Sequence, residues 1–177
     1  MNNRDSRFDE MFDFPLSNVE ILYSYFFQPD TKFESCWKCT VLLNPELARA
    51  MYDKGFNVRR KDFGSGEVDY ILAKRKTHTA KGKAMFPPKV FAENGRTYWD
   101  EKVAIGNGTT VNLMVAGKYV TISGKELLPL YLNSVQIVKH VPYSSSPFED
   151  TTGGAGDIKI DQEGIGPQGG TGEDIPF

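Results

Sequence analysis

The chain of 177 residues is 40% hydrophobic and 12% aromatic, which is enough for one domain of about 130–150 residues with a packed core, followed by a tail. No stretch approaches the roughly 18 consecutive apolar residues of a membrane span, and the N-terminal residues lack the apolar segment of a signal peptide. The sequence therefore predicts an intracellular protein with no membrane partner. The net charge of −2 hides a basic middle, since residues 54–102 carry 12 basic and 6 acidic groups, whereas residues 148–177 carry 1 basic and 7 acidic groups. A basic middle of this kind is typical of proteins that bind a polyanion.

Two strands are predicted near the start of the chain. Residues 1–17 are polar with scattered phenylalanines, which predicts an irregular N-terminal arm. Residues 19–28 and 35–43 are rich in branched and aromatic side chains, which favours strands. Alternation in the second strand directs four side chains to the core: Trp37, Cys39, Val41 and Leu43. Lys38 and Thr40 are then expected to point outward.

The only two cysteines, Cys36 and Cys39, form a Cys-x-x-Cys pair, a spacing that zinc sites and redox sites also use. Zinc would require two further ligands, and neither of the two histidines has a paired spacing. A redox pair needs its first cysteine at the start of a helix, whereas a strand points positions i and i+3 to opposite faces. The sequence therefore predicts buried or edge thiols, with no metal and no cofactor.

The clearest helix is predicted directly after the second strand. Asn44 is a good N-cap, Pro45 suits the first helical position, and Gly55 suits a left-handed stop. Between them, three apolar residues share one face at helical spacing: Leu47, Ala48 and Met51. The helix should be short, about three turns long.

The rest of the domain, expected to span residues 18–147, predicts short strands and loops. Residues 56–63 are predicted as a strand or an extended loop, and residues 77–88 as a polar, basic loop. Strands are predicted at 67–76, 89–92, 111–116, 118–123, 127–132 and 134–141. The glycines of residues 105–110 precede a strand and lack a following helix, which excludes a phosphate-binding loop. The pattern predicts a mostly β fold with one short helix, an OB-fold-like five-stranded barrel with extra strands and loops.

Candidate DNA-binding residues come from basic clusters interleaved with aromatic residues. Cations can follow the phosphates of a strand, and aromatic faces can stack on its bases without reading sequence. The alternative is that the charges are solvated and the aromatic rings pack in the core. The predicted DNA-binding residues are Lys38, Arg59, Arg60, Lys61, Tyr70, Lys74, Arg75, Lys76, Lys81, Lys83, Lys89, Phe91 and Trp99.

Residues 148–177 predict a disordered, flexible acidic tail. A run rich in Gly, Pro and Gln at residues 164–172 cannot bury enough apolar surface to order itself. It ends in two acids, one branched residue, a proline and a terminal phenylalanine, a composition suited to docking in a partner's pocket. The predicted partner-binding residues are Glu173, Asp174, Ile175, Pro176 and Phe177. This ending resembles the interaction tip of bacterial single-stranded DNA-binding proteins.

The domain itself resembles the single-stranded DNA-binding proteins of phage replication. Residues 105–109 read Ile-Gly-Asn-Gly-Thr, residues 130–138 read Leu-Tyr-Leu-Asn-Ser-Val-Gln-Ile-Val, and residues 148–150 read Phe-Glu-Asp. These match, in order, a segment that opens a long strand, an element that closes the barrel and an acidic stretch of that family. The resemblance covers residues 34–150 in pattern, and its motifs lie in residues 100–150.

This resemblance implies an OB-fold that binds single-stranded DNA without sequence preference in replication, recombination or repair, and that catalyses no reaction. The implied partners are single-stranded DNA and, through the tip, a polymerase, helicase or nuclease in the host bacterial cytoplasm. We expect the acidic tail to occupy the basic groove weakly until DNA displaces it. Two alternatives remain open: an RNA-binding OB protein, and a decoy that sequesters host proteins reading the tip. Motifs for an enzyme, such as a nucleophile elbow or a metal cluster, are absent from the sequence.

Overall fold

The computed structural model describes residues 10–143; the tail 148–177 with its tip, and most of the predicted arm, lie outside the described residues. The elements are β1 (Phe12–Asp13), β2 (Leu16–Asp30), β3 (Cys36–Leu43), α1 (Pro45–Lys54), β4 (Arg59–Asp62), β5 (Glu67–Lys76), β6 (Lys89–Phe91), β7 (Thr109–Gly117), β8 (Val120–Ile122), β9 (Lys125–Leu127) and β10 (Leu130–Lys139). Over residues 10–143, no helix has the length and apolar character needed to cross a membrane.

Five strands close into a barrel. Antiparallel pairs join β2 to β3, β3 to β5, β10 to β7 and β7 to β2. The barrel is closed by β5 and β10, which run parallel and meet at Lys74 and Tyr131. The short strands β1, β4 and β6 extend this sheet by pairing with β7, β5 and β10 respectively, and β8 and β9 form a separate hairpin. This closed barrel with extra strands and one short helix confirms the predicted fold class.

The core fills the barrel with alternate side chains of its strands. In β3, all four side chains predicted to face the core are buried: Trp37, Cys39, Val41 and Leu43. Thr40 lies on the outer side of β3 together with Lys38, as predicted, but it is only 6% exposed. Thr40 lies between Leu22 of β2 and Leu72 of β5 in the sheet, and these larger neighbours cover the short threonine. Cys36 and Cys39 are both buried free thiols, as predicted.

Local sequence signals set both ends of α1, as predicted. The Asn44 side chain accepts a hydrogen bond from the Leu47 backbone N–H at 2.8 Å. Gly55 ends the helix with a φ of 109°, a left-handed conformation in which a side chain would be strained. Ala48 and Met51 are buried in the core, and Leu47 is partly buried against it. The helix therefore covers one end of the barrel core.

Three parts of the fold differ from the sequence prediction. Lys125–Leu127 form β9 and pair with β8, whereas the sequence predicted one strand over residues 127–132. Residues 12–17 are not irregular: β1 pairs with β7, β2 begins at Leu16, and the rings of Phe12 and Phe14 pack on Phe56. These rings were scattered in the sequence, but each has a partner distant along the chain. At the other end of the domain, β10 is one strand where two were predicted. A register shift at Asn133, between Leu132 and Ser134, accommodates the residue that would otherwise divide it.

Candidate nucleic-acid interface

Strand pairing gathers basic and aromatic side chains on one outer surface of the barrel. The register places Lys38 opposite Lys74, and Leu42 opposite Tyr70. Residues directly opposite each other in a sheet point to the same side. We call this surface the strand face; its members are Tyr25, Lys38, Arg59, Lys61, Tyr70, Leu72, Lys74 and Lys76.

Three lysines of the strand face, Lys38, Lys74 and Lys76, pair with two carboxylates from the end of β2 and the loop that follows it. The Lys38 Nζ lies 2.6 Å from Asp30 Oδ2. The Lys74 and Lys76 Nζ atoms lie 3.1 and 4.0 Å from the two carboxylate oxygens of Glu34. The hydrogen bond from Lys38 lowers the pKa of Asp30, and that from Lys74 lowers the pKa of Glu34. The hydrogen bond to Asp30 likewise raises the pKa of Lys38, so these groups stay charged at neutral pH.

Aromatic rings lie beside these cations. The Phe63 ring packs edge-on against Tyr70 at 5.2 Å between centroids, and Tyr23 lies 6.3 Å from Phe63. The Lys38 Nζ lies 5.8 Å from the Tyr25 ring, and the Lys61 Nζ lies 5.3 Å from the Phe63 ring. Tyr23 and Tyr25 remain about half exposed, so each has a ring surface free for a further contact.

A small open cavity joins the two kinds of residue. It measures about 120 Å³, and its lining residues are Asn57, Arg59, Tyr70, Leu72 and Lys74. An aromatic ring, an aliphatic side chain and two cations therefore surround one depression. Such a surface can contact both a base and its neighbouring phosphate.

Two predicted cations, Arg60 and Arg75, point away from the strand face. They lie on the opposite side of their strands from Arg59 and Lys74, because successive strand residues point to opposite faces. The Arg60 Nε lies 3.1 Å from Asp69 Oδ1, and this hydrogen bond raises the pKa of Arg60. The Arg75 Nε donates to the Phe86 carbonyl at 2.6 Å. The Arg60 guanidinium thus binds β5 and the Arg75 guanidinium binds the loop 77–88, so both contact other parts of the chain.

The basic loop 77–88 borders one end of the strand face. Its base is attached to the start of β3, since the Thr77 Oγ1 lies 2.9 Å from the Ser35 Oγ. Lys81 and Lys83 are exposed along the loop, as is the ring of Phe86. The loop can therefore present cations beyond the last lysine of β5.

Three predicted residues lie apart from the strand face. Lys89 and Phe91 belong to β6, which pairs with β10 and not with β3 or β5. The Phe91 ring stacks on Tyr98 at 5.2 Å. Trp99 packs partly against the core, and its Nε1 donates to the Val103 carbonyl at 2.9 Å. The structure does not bring these residues together with Lys38 and Lys74.

Three exposed rings beside the predicted residues were not expected from the sequence, those of Tyr23, Tyr25 and Phe33. Simple alternation would place Tyr23 in the core with Ile21, but the φ of Tyr23 is 50° and the register shifts between Leu22 and Tyr25. This bulge brings Tyr23 close enough to meet Phe63. Phe33 is 89% exposed in the loop between β2 and β3. A phenylalanine in a polar turn of five residues has no core to enter, and that signal could have identified it.

The class of fold explains why this surface is the candidate. OB-type barrels bind oligonucleotides on the face of their second and third strands, flanked by the loop between strands one and two. Here β3 and β5 occupy those positions, and the loop that carries Phe33 and Glu34 joins the first two barrel strands. The strand face is thus the surface that this architecture uses for nucleic acid.

Solved structures share this fold. The single-stranded DNA-binding protein from bacteriophage Enc34 is 12% identical with a TM-score of 0.55, covering 80% of this chain and 89% of that chain. Its complex with single-stranded DNA matches at 14% identity and a TM-score of 0.54, covering 75% of this chain and 89% of that chain. The single-stranded DNA-binding protein gp2.5 of bacteriophage T7 matches at 14% identity with a TM-score of 0.55, and the match covers 78% of this chain and 98% of that chain.

No protein-family model matches the chain, and no curated protein matches it in sequence. At the level of fold, the structural matches confirm the resemblance to phage single-stranded DNA-binding proteins that residues 100–150 suggested. The resemblance of residues 173–177 to the bacterial tip lies outside the described residues.

Proposed function

We propose that this chain binds single-stranded DNA through the strand face, without sequence preference and without catalysing a reaction. The observation that carries the proposal is the row of Lys38, Lys74 and Lys76 beside partly exposed aromatic rings, on the surface that OB barrels use for oligonucleotides. Two solved proteins of the same fold are named as single-stranded DNA-binding proteins, and one was solved with its DNA.

The chemistry of the side chains indicates which part of the DNA each would bind. Ammonium groups of the lysines bind phosphates, which provides affinity that depends on salt. Tyr25, Phe63 and Tyr70 provide ring surfaces for bases, which provides affinity that salt changes little. Because every base has a ring face, this arrangement binds any sequence. Lys81 and Lys83 extend the path of the phosphates beyond the edge of the sheet.

The wider role is proposed from the resemblance to phage proteins. We propose that the protein coats single strands during phage DNA replication, recombination or repair in the host bacterial cytoplasm. Glu173 to Phe177 would recruit a polymerase, helicase or nuclease, with the Phe177 ring buried in the partner and the acidic groups paired with its cations. The acidic tail would compete with DNA for the lysines until a strand displaces it.

Binding of labelled oligomers by fluorescence anisotropy tests the proposal. The chain should bind a dT oligomer more tightly than duplex DNA, because duplex bases are stacked away from the rings. Equal binding of duplex and single strand would refute base stacking, and stronger binding of rU than dT would favour the RNA alternative.

A chain lacking Glu173–Phe177 should bind dT at least as tightly and lose partner capture. Weaker dT binding would refute the competing tail.

A fragment of residues 1–150 separates DNA binding from the decoy alternative. If the domain binds DNA, the fragment should retain the affinity of the full chain for dT. A decoy would act through the tip alone, so its fragment would show no binding.

A further inference from the structure

The lysines that the proposed function requires are already occupied in the DNA-free protein. Asp30 and Glu34 place carboxylate oxygens within 2.6 to 4.0 Å of the three ammonium groups of Lys38, Lys74 and Lys76. One of these acids ends β2, and the other lies in the loop between β2 and β3. The chain thus directs two anions onto its own basic face.

Two of these contacts are of the kind that a phosphate makes with an ammonium group: Lys38 lies 2.6 Å from Asp30 and Lys74 lies 3.1 Å from Glu34, whereas Lys76, at 4.0 Å from Glu34, is beyond hydrogen-bond distance. Carboxylates and phosphates are both oxyanions that accept charge-assisted hydrogen bonds from ammonium groups at about 2.7–2.9 Å. The single Glu34 carboxylate lies between Lys74 and Lys76, as a bridging phosphate would. Asp30 faces Lys38 alone, and its other oxygen accepts the Lys32 backbone N–H at 3.0 Å.

We propose that Asp30 and Glu34 occupy two phosphate subsites of the strand face, so that binding exchanges each carboxylate for a phosphate group of the DNA backbone. One subsite is Lys38, and the other is shared by Lys74 and Lys76. This inference rests on the proposed binding of single-stranded DNA to the same face.

For Glu34, the structure favours exchange over a positioning role; the Lys38–Asp30 pair is less exposed, so the sign of the Asp30→Asn effect carries the test for Asp30. The backbones of Lys38 and Lys74 are held by the register of β3 and β5, which does not depend on Glu34. The Lys74 and Glu34 side chains are each more than 40% exposed, and exposed ion pairs contribute little to stability. A phosphate can therefore replace Glu34 without loss of folding, and the released carboxylate then repels the strand.

If the acids compete with phosphate, neutralising either one should raise the affinity for single-stranded DNA. Asp30→Asn and Glu34→Gln keep the size of each side chain and a carbonyl oxygen, so the Lys32 N–H retains its acceptor. Each variant should bind a dT oligomer about three- to fivefold more tightly at about 0.1 M salt, from the loss of one competing charge at contact distance. The double variant should also show a steeper salt dependence, because no freed carboxylate takes up a cation when DNA binds.

A matched control separates local competition from net charge. Glu46→Gln makes the same change in charge on α1, an exposed position. Glu46 lies beyond the far end of β3, about 16 Å or more from Lys38 at the rise of a strand. That exceeds the Debye length of about 8–10 Å at ordinary salt, so its affinity for dT should equal that of the unsubstituted chain.

Five outcomes of the dT binding measurements decide between these possibilities, with thermal unfolding used to confirm that each variant folds. Tighter binding by Glu34→Gln that disappears when Lys74 and Lys76 are both methionine supports exchange. A gain that persists in that background means general repulsion and overturns it, as does unchanged binding. Weaker binding by Asp30→Asn or Glu34→Gln means that the acids position the lysines, which also overturns it. Absence of dT binding by the unsubstituted chain refutes the proposed function itself, a different result from any of these.

Discussion

Replacing Lys38, Lys74 and Lys76 of the strand face by methionine should lower both the affinity for single-stranded DNA and its dependence on salt. Lys38 and Lys74 are cross-strand partners, and Lys76 follows two residues later on the same side of β5. Methionine keeps an unbranched apolar stem at each position and removes only the charge. The experiment therefore tests the ammonium groups and not the packing beneath them.

The magnitude follows from the number of contacts. The logarithm of affinity for a single strand falls with the logarithm of salt concentration with a slope of about −0.7 for each phosphate neutralised. If each lysine neutralises one phosphate, the three contribute a slope of about −2.1. Raising the salt from about 50 to 200 mM then weakens binding about 18-fold through these contacts alone. The triple variant should lose that part of the salt dependence.

The measurement is fluorescence anisotropy with a dT oligomer at several salt concentrations. The Asp30→Asn/Glu34→Gln background is the best host, because each lysine is then free of a competing carboxylate. Arg49→Gln on α1 is the control; Arg49 is exposed and pairs with Asp53, so its loss should leave the slope unchanged. A triple variant that keeps the slope of its parent would show that phosphates bind elsewhere and would refute the assigned face.

Three further predictions concern other groups. Tyr25→Ala and Tyr70→Ala should each weaken dT binding by about 1–3 kcal/mol without changing the salt slope, as anisotropy would show; a changed slope would contradict a stacking role. Burial raises the pKa of Cys39 from 9.0 to about 12, so this thiol should resist iodoacetamide at pH 8 until the protein unfolds. Because the thiol loses its proton more readily in the unfolded chain, the free energy of unfolding should keep its full Cys39 contribution below pH 9 and fall as the pH rises from 9 toward 12. Urea titrations at several pH values would measure this. Gly106→Ala should destabilise the domain by about 1–3 kcal/mol in the same assay, because a Cβ there would collide with the Pro142 carbonyl.

Elements set by local chemistry were predictable from the sequence. The ends of α1 follow from Asn44 and Gly55, whose effects act within one helical turn. The bounds of β5 at Glu67 and Lys76 follow from its branched residues and the glycine turn before it. Burial of Cys39 follows from alternation along β3. Each of these depends on neighbours in the sequence alone.

The composition of the site was only partly predictable, because it depends on strand register. Lys74, Arg75 and Lys76 form one cluster in the sequence, but alternation divides them between two sides of β5. That division was available from the predicted strand itself. The contact of Lys38 with Lys74 was not predictable, because it is fixed by pairing between β3 and β5, which are separated in the sequence by α1 and β4. Nor could the sequence show that the bulge at Tyr23 brings its ring to Phe63.

Register also changes what the charge distribution means. The acidic start of the chain and its basic middle look like separate regions in the sequence, yet Asp30 and Glu34 lie on the basic face. The same face carries five cations, so these two carboxylates offset part of its positive charge. The cations are Lys38, Arg59, Lys61, Lys74 and Lys76. The face therefore attracts a strand less strongly than residues 54–102 imply by composition. If the strand face binds single-stranded DNA as proposed, we expect a larger share of the binding free energy to come from rings such as Tyr25 and Tyr70, and this share should persist at salt concentrations that screen the phosphates.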